Sequence, residues 1–192
     1  MNIKALSWGN PGNKMLDEIN SELISRARNG DAVVIGALYE RFRLSIFRYL
    51  YYRLGDQQTA EDLTSEVFLR MIRSLHGINP HSVSFQAWLF QIARNLAIDY
   101  YRKMSIRNHI QLDENLVTRD EDIDTSLEKN LTSERLRRAL SRLNPDQRDV
   151  IVLRFVADMP INQVAQTLHK SEDSIKGLQR RGLSTLREIL AE

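Results

Sequence analysis

The stretch Met159–Arg187, MPINQVAQTLHKSEDSIKGLQRRGLSTLR, has the spacing of two helices joined by a tight turn. Pro160 suits the first turn of a helix. The core positions predicted for this helix are Ile161, Val164, Ala165 and Leu168. The periodicity stops at His169, a residue type enriched at positive φ, and Ser171 suits the N-cap of a second helix that packs back through Ile175. The pattern predicts a helix-turn-helix.

The outward face of the second predicted helix is polar and basic. Lysine and arginine suit phosphates and the edges of bases, and a glycine allows a close approach to DNA. The residues predicted to contact DNA are Ser171, Ser174, Lys176, Gly177, Arg180 and Arg181. A plain helical hairpin with a solvated basic face remains the alternative at this point.

The rest of the chain also has helical periodicity, and the predicted fold class is all-α. The clearest apolar stripe is Val34, Leu38, Phe42, Ile46 and Leu50, within a helix that Asp31 can cap and that ends near Leu54. A third helix precedes a loop at His76–Ser84, and a fourth covers Phe85–Lys103. The prediction is two small helical domains, residues 16–103 and 134–192, with a disordered extension over 1–15 and an acidic flexible linker over 104–133.

Charge is divided unevenly along the chain, although the formal net charge is only +2. Residues 1–103 contain 13 Lys and Arg against 10 Asp and Glu, residues 104–133 contain 3 against 7, and residues 134–192 contain 11 against 8. Two mildly basic blocks therefore flank an acidic linker. An excess of three positive charges per block predicts weak DNA binding by the free chain, so a larger partner is expected to supply the rest.

Composition excludes several other classes of protein. The chain has no cysteine, and its four histidines lack the spacing of metal ligands. It contains no glycine-rich phosphate loop, no apolar run long enough to span a membrane, and no apolar core of a signal peptide near its first residue. We therefore expect a cytoplasmic protein that is not an enzyme, with no catalytic residue, metal, cofactor or membrane insertion.

The segment Phe85–Lys103, FQAWLFQIARNLAIDYYRK, mixes aromatic side chains with arginine, asparagine and lysine. Such a mixture suits unstacked bases and phosphates, and stacking of one base on an aromatic ring contributes about 1–3 kcal/mol. Trp88 also falls on the apolar stripe, so a role in the core is the competing interpretation. Asp62, Glu66 and Arg73 form a charged face on the third helix, for which simple solvation is the alternative.

Four segments together resemble the extracytoplasmic-function (ECF) group of bacterial sigma factors. They are DLTSEVF from Asp62, FQAWLFQIARNLAIDYYRK from Phe85, LNPDQRDVIVLRF from Leu143, and VAQTL followed by SIKGLQRRGLSTL within the helix-turn-helix. The resemblance covers roughly residues 16–103 and 134–190. It implies a protein that carries RNA polymerase to promoters and helps to open them.

The resemblance also implies partners and contact residues. Core RNA polymerase would bind through the clamp helices of its largest subunit, with contacts at Asp62, Leu63, Glu66 and Phe68. Promoter DNA would be read at the minus-35 element by the basic helix of the helix-turn-helix. The residues implied at the minus-ten element, with a flipped base held near the loop, are His76, Gly77, Ser84, Trp88, Gln91, Arg94, Asn95, Arg102 and Lys103. An anti-sigma factor is a further expected partner.

Two points limit what the resemblance implies. Leu178 and Gln179 stand where many members have arginine followed by an apolar residue, so the base preference of the recognition helix does not transfer. A helix-turn-helix repressor or activator, with an N-terminal ligand-binding or dimerisation domain, would explain residues 134–192 equally well. It explains the aromatic and basic mixture of Phe85–Lys103 and the acidic linker less well.

Overall fold

The computed structural model describes residues 21–78, 84–110 and 127–191, and over those ranges the chain forms α-helices and no strand. The helices are α1 (Ser21–Arg28), α2 (Ala32–Leu54), α3 (Gln57–Ser74), α4 (Phe85–Ile110), α5 (Leu127–Ser141), α6 (Pro145–Phe155), α7 (Ile161–Leu168) and α8 (Glu172–Ala191). One 3₁₀ turn, Leu75–Gly77, follows α3. The predicted all-α fold class is confirmed.

The N-terminal block, α1 to α4, packs around the apolar stripe predicted on α2. All five members of that stripe are buried: Val34, Leu38, Phe42, Ile46 and Leu50. The carboxylate of Asp31 caps α2 by accepting hydrogen bonds from the backbone N–H groups of Val33 (3.1 Å) and Val34 (3.3 Å). The helix ends at Gly55, whose φ of 83° is readily adopted only by glycine.

The C-terminal block, α5 to α8, contains the helix-turn-helix as α7 and α8. Asn144 caps α6 by accepting from the backbone N–H of Gln147 at 3.1 Å, and Pro145 occupies the first helical position, where its missing N–H costs nothing. His169 adopts the left-handed conformation expected at the turn, with φ 52° and ψ 46°. Ile175 is completely buried and packs α8 onto the block.

Two helix ends differ from the predicted ones. Helix α4 continues to Ile110 instead of ending at Lys103, and α5 begins at Leu127, inside the segment assigned to the linker. Once a helix has formed, each additional helical residue gains a backbone hydrogen bond at little cost. A helix can therefore extend beyond the segment in which apolar residues recur with helical spacing. The division into domains remains a prediction, and residues 1–15 and 111–126 lie outside the described ranges.

The two blocks contact each other directly. Helix α7 packs along α4, and α6 packs against α2, so that apolar residues of both blocks form one buried cluster. The amino-acid sequence alone does not predict this interface, because it arises between residues far apart in the chain. It brings residues from both halves of the chain into the candidate site.

Candidate nucleic-acid interface

Helix α8 presents opposite faces to the protein and to solvent. Its first turn is capped by Ser171, whose hydroxyl accepts from the backbone N–H of Ser174 at 3.2 Å. Ile175 and Leu178 are buried against the block. The predicted DNA-contacting residues that are exposed are Ser171, Ser174, Lys176, Arg180 and Arg181. The apolar face fixes the helix, and a polar, basic face is left available for a partner.

The positive charges of this face differ in their local pairing. Lys176 donates to Asp173 at 3.0 Å, and this hydrogen bond raises the pKa of Lys176. Neither Arg180 nor Arg181 forms an ion pair with the residues that the structure describes. Gly177 lies one helical turn before Arg181, and a Cβ atom there would be in ordinary contact, 3.4 Å, with Nη1 of Arg181. Arg180 and Arg181 therefore both carry uncompensated positive charge on the exposed face of α8.

Helix α4 carries most of the residues predicted for the minus-ten element. Asn95, Arg102 and Lys103 are exposed, whereas Trp88 is half-buried with its ring centroid 5.6 Å from that of Phe85. Trp88 thus belongs partly to the core, as its place on the apolar stripe suggested. Next to Asn95 lies an open cleft between α3 and α4 with a volume of about 280 Å³. Its other lining residues are Arg70, Arg73, Ser74 and Ile92.

Three of the predicted minus-ten residues contact the C-terminal block. The backbone N–H of Ser84 donates to Oε1 of Gln166 at 3.3 Å, and Nε2 of Gln91 donates to the carbonyl oxygen of Gln166 at 2.9 Å. The third, Arg94, forms an ion pair with Asp149, with Nε 3.3 Å from Oδ2. Part of the α4 surface that was assigned to DNA therefore contacts α6 and α7, while Asn95, Arg102 and Lys103 remain exposed.

Asp149 is the functional candidate that sequence analysis missed. Its side chain is 1% exposed, and its Oδ1 lies 3.1 Å both from the Tyr49 hydroxyl, which donates to it, and from Nη1 of Arg53. Burial raises the pKa of Asp149, and the charges of Arg53 and Arg94 act in the opposite direction. Burial also raises the pKa of Tyr49 well above its usual value. Together with Arg94, whose side chain is 22% exposed, these buried side chains form a polar cluster between the blocks.

A weak sequence signal for this cluster exists. Asp149 lies four residues before the buried Leu153 on α6, and Arg53 lies three residues after the buried Leu50 on α2. Each is therefore a charged residue on the buried side of an amphipathic helix, where ionised side chains are rare unless they are paired. Periodicity can identify such a residue, but it cannot say which distant residue pairs with it.

Helix α3 places the four predicted polymerase contacts in three different environments. Asp62 is exposed, and Glu66 is half-buried and paired with Arg70 at 2.8 Å. Leu63 is half-buried against the core. Phe68 is only 4% exposed and packs edge-on against Tyr39, so its predicted role as a direct contact is corrected to a packing role. Two apolar side chains of α3 are about half exposed, Leu69 at 48% and Ile72 at 47%.

The predicted minus-ten loop is described only at its two ends. His76 and Gly77 are exposed within the 3₁₀ turn, and the carbonyl oxygen of His76 accepts from Nη2 of Arg28 at 3.1 Å. Ser84 lies at the start of α4. Residues 79–83 lie outside the described ranges.

In the part of the chain that the structure describes, no helix is long and apolar enough to cross a membrane. No group of three or more His, Asp or Glu side chains in those ranges is arranged to hold a metal ion.

Comparison with known proteins identifies both blocks. The family model of sigma-70 region 2 matches residues 38–105, and that of sigma-70 region 4 matches residues 139–188. The chain is 39% identical over 175 residues to the ECF RNA polymerase sigma factor BldN of Streptomyces coelicolor, with 89% of this chain and 66% of BldN covered. It is 35% identical over 169 residues to the ECF RNA polymerase sigma factor SigX of Bacillus subtilis, with 81% of this chain and 84% of SigX covered.

A solved structure shares the fold. The sigma factor RpoE of Bartonella quintana, crystallised with the anti-sigma factor NepR, superposes with a TM-score of 0.65 at 19% identity, covering 86% of this chain and 98% of RpoE. The matches to region 2 and region 4 occur in the same order as the two helical blocks, and SigX aligns across both. The chain therefore belongs to the ECF group of the sigma-70 family, whose members direct promoter-specific initiation of transcription.

Proposed function

We propose that this chain binds core RNA polymerase and directs it to promoters by reading a minus-35 and a minus-ten element and assisting DNA melting. The observation that carries the proposal is the pairing of an exposed basic recognition helix with a separate helical block that matches region 2. A repressor would need only the first of these. The proposed role is recognition in the cytoplasm, with no chemical step by the chain itself.

At the minus-35 element, the proposal assigns base and phosphate contacts to the exposed face of α8. Arg180 and Arg181 are the strongest candidates because they carry uncompensated charge, and a bidentate arginine contact to guanine contributes about 1–3 kcal/mol of discrimination. Lys176 contributes charge that Asp173 partly offsets. Gly177 has no side chain, which allows the backbone of α8 to approach the DNA groove closely.

We expect Arg180→Ala and Arg181→Ala to reduce run-off transcription by holoenzyme at promoters with an intact minus-35 element. A lost bidentate contact would cost about 1–3 kcal/mol and relax preference at one base, whereas a lost phosphate contact would lower affinity for all sequences and reduce the salt slope by about one. Arg138→Ala is the control, since Arg138 is an exposed arginine of the same block on α5. If both variants transcribe at the parental rate and with the parental salt dependence, α8 does not read the minus-35 element.

At the minus-ten element, the proposal assigns single-stranded DNA to α4 and to the cleft of about 280 Å³ beside it. Asn95 offers an amide to a base edge, and Arg70 and Arg73 line the same cleft. Trp88 presents part of its ring at the surface, where a base can stack. Arg102 and Lys103, exposed further along α4, are placed to contact the backbone of the strand.

Polymerase docking is assigned to the outer face of α3. Asp62 and Glu66 supply negative charge there, and the half-exposed Leu69 and Ile72 supply an apolar centre. An apolar centre with a charged rim is the usual composition of a protein interface. The clamp helices of the largest polymerase subunit are the proposed partner.

We expect the double variant Asp62→Lys, Glu66→Lys to lose most of its binding to core polymerase while keeping its helical content, since both side chains lie outside the buried stripe. Affinity capture with purified core enzyme measures the first effect and circular dichroism the second. The matched control reverses two exposed acids on other helices of the same block, Glu22→Lys and Glu40→Lys. Equal capture of the α3 variant and the control would contradict the assignment.

An anti-sigma factor is the proposed inhibitory partner. The support is the fold shared with RpoE, which was crystallised with the anti-sigma factor NepR. Co-purification from the native host, followed by competition with core polymerase, tests the proposal directly.

A further inference from the structure

The 3₁₀ turn Leu75–Gly77 contains the first two residues assigned to the minus-ten element, and its backbone is held by another helix. The N–H of Ile78 donates to the carbonyl oxygen of Leu75 at 3.3 Å and closes the turn. The next carbonyl oxygen, that of His76, accepts from Nη2 of Arg28 at 3.1 Å, across a sequence separation of 48. The last carbonyls of a helical turn have no partner within it, so water or a side chain must satisfy them. For His76 that side chain comes from α1.

Helix α1 is a firm support for this hydrogen bond. It packs against both α2 and the 3₁₀ turn. Arg28 is half-buried at its C-terminal end. A guanidinium is planar and donates in fixed directions, so an arginine on an anchored helix defines the position of its acceptor. The side chains that anchor α1 in the core are Leu23, Ile24 and Ala27.

Side-chain packing fixes the two ends of the turn but not its middle. Leu75 and Ile78 are buried, at 2% and 6% exposure, whereas His76 and Gly77 between them are exposed. Gly77 has no side chain to pack, and nothing lies within 4 Å of its Cβ position. The hydrogen bond from Arg28 therefore restrains the backbone at the point where the core does not.

We propose that Arg28 is a positioning residue for reading of the minus-ten element. By holding the His76 carbonyl, it fixes the direction in which His76 and Gly77 are presented to the unpaired DNA strand. Arg28 precedes residues 38–105, over which the region 2 model matches, so that match does not include it. The effect on DNA reading rests on the proposed function, whereas the restraint on the turn does not.

A fixed presentation favours discrimination between bases. A polar group distinguishes two bases only while it is held in one geometry, and a displacement of about 1 Å is enough to weaken such a site. A restrained backbone also loses less conformational entropy when DNA binds. Loss of the Arg28 contact should therefore reduce preference for the correct minus-ten sequence, while binding to core polymerase, which is assigned to α3, should not change.

The test variant is Arg28→Ala, and Arg28→Lys is its conservative counterpart. Lysine keeps the charge and can donate one hydrogen bond, but it lacks the fixed geometry of the guanidinium, so it should preserve part of the effect. The matched control is Arg26→Ala, which removes the same charge from the last turn of the same helix. The hydrogen bonds that Arg26 donates go to Asp31, at 2.7 and 3.0 Å.

Amide hydrogen exchange of the full-length chain, followed by NMR, measures the restraint without DNA. We expect the N–H of Ile78, which closes the turn, to exchange roughly two- to ten-fold faster in Arg28→Ala, the range that loss of one hydrogen bond produces. Arg28→Lys should give a smaller increase and Arg26→Ala the parental rate. Unchanged exchange of the α2 amides would show that the acceleration is confined to the turn.

Run-off transcription by holoenzyme measures the reading of DNA. The templates share one promoter of the native host and differ only in a randomised minus-ten element, and a parallel set is randomised only at minus-35. We expect Arg28→Ala to reduce enrichment of the preferred minus-ten sequence by roughly two- to ten-fold, again the range for one hydrogen bond. The minus-35 preference and the capture of core polymerase should stay parental, and Arg28→Lys should retain part of the minus-ten preference.

Three results would overturn the inference. Parental exchange of the Ile78 amide in Arg28→Ala would mean that Arg28 does not restrain the turn. Faster exchange with an unchanged minus-ten preference would mean that the restraint does not serve DNA reading. An equal loss of transcription from all minus-ten sequences, with a smaller salt slope, would mean that Arg28 contacts a phosphate directly.

Failure of the proposed function is distinguishable from failure of this inference. A parental chain that gives no promoter-specific run-off with core polymerase would refute the proposed function. The exchange rates of the Ile78 amide, which are measured without polymerase or DNA, would still decide whether Arg28 holds the turn.

Discussion

Ile175→Asp is expected to unfold the C-terminal block. Ile175 is completely buried on the protein side of α8, at the contact that fixes the recognition helix. Loss of a buried isoleucine side chain alone costs about 2–5 kcal/mol, and burial of an unpaired carboxylate adds to this. The free energy of unfolding of a block of this size is small, because a small domain buries a small fraction of its surface. Urea titration followed by circular dichroism, together with limited proteolysis of residues 134–192, measures the effect.

Ser174→Asp is the matched control for Ile175→Asp. It introduces the same carboxylate one residue earlier, on the exposed side of the first turn of α8, where a negative charge is favourable. We expect its free energy of unfolding to stay within about 0.5 kcal/mol of the parent value. Two variants with the same midpoint would mean that α8 does not pack through Ile175.

The second large effect is expected at Gly182, where α8 crosses α6. A Cβ atom on Gly182 would lie 3.1 Å from Cγ1 of Ile151 and 3.4 Å from Cβ of Gln147, so a larger side chain forces the helices apart. Overpacking of this kind typically costs about 1–3 kcal/mol. Gly182→Leu should therefore lower the free energy of unfolding, and displacement of α8 should also reduce transcription from promoters that depend on the minus-35 element.

Gly36→Leu makes the same change at a helical glycine with open surroundings. Gly36 is exposed within α2, and nothing lies within 4 Å of its Cβ position. Leucine is the better helix former by roughly 0.5–1 kcal/mol, so this control should be neutral or slightly stabilising. A Gly182→Leu protein as stable as Gly36→Leu would contradict the close approach of α6 and α8.

Local features of the fold were predictable because their causes lie within a few residues. Asp31 and Ser171 each cap a helix as predicted, since a cap needs only a short polar side chain two or three residues before a free backbone N–H. The left-handed conformation of His169 was predictable for the same reason, because it depends on where two adjacent helices must stop. The exposed residues of α8 were predictable from the helical spacing of its apolar residues alone.

Assignment of residues to the candidate site was less complete. The charged face of α3 and the basic face of α8 were predictable, because residues on one helix share a face at known spacings. Phe68 was misassigned because a motif gives the order of residues and not their burial. Gly182 was missed because its importance depends on the close approach of α6. The sequence of α8 does not indicate where α6 crosses it.

The amino-acid sequence by itself determined the helices, their caps, the recognition face and the sigma-factor assignment, because each depends on neighbouring residues or on motifs in a fixed order. Only the tertiary structure showed that Asp149 meets Tyr49, at a sequence separation of 100, and that α7 packs on α4 and accepts a hydrogen bond from Gln91. Contacts of this kind depend on which amphipathic helices pack against each other when they are far apart in the sequence. Periodicity identifies the buried face of each helix, but the complementary shape and charge of two distant faces decide which of them meet.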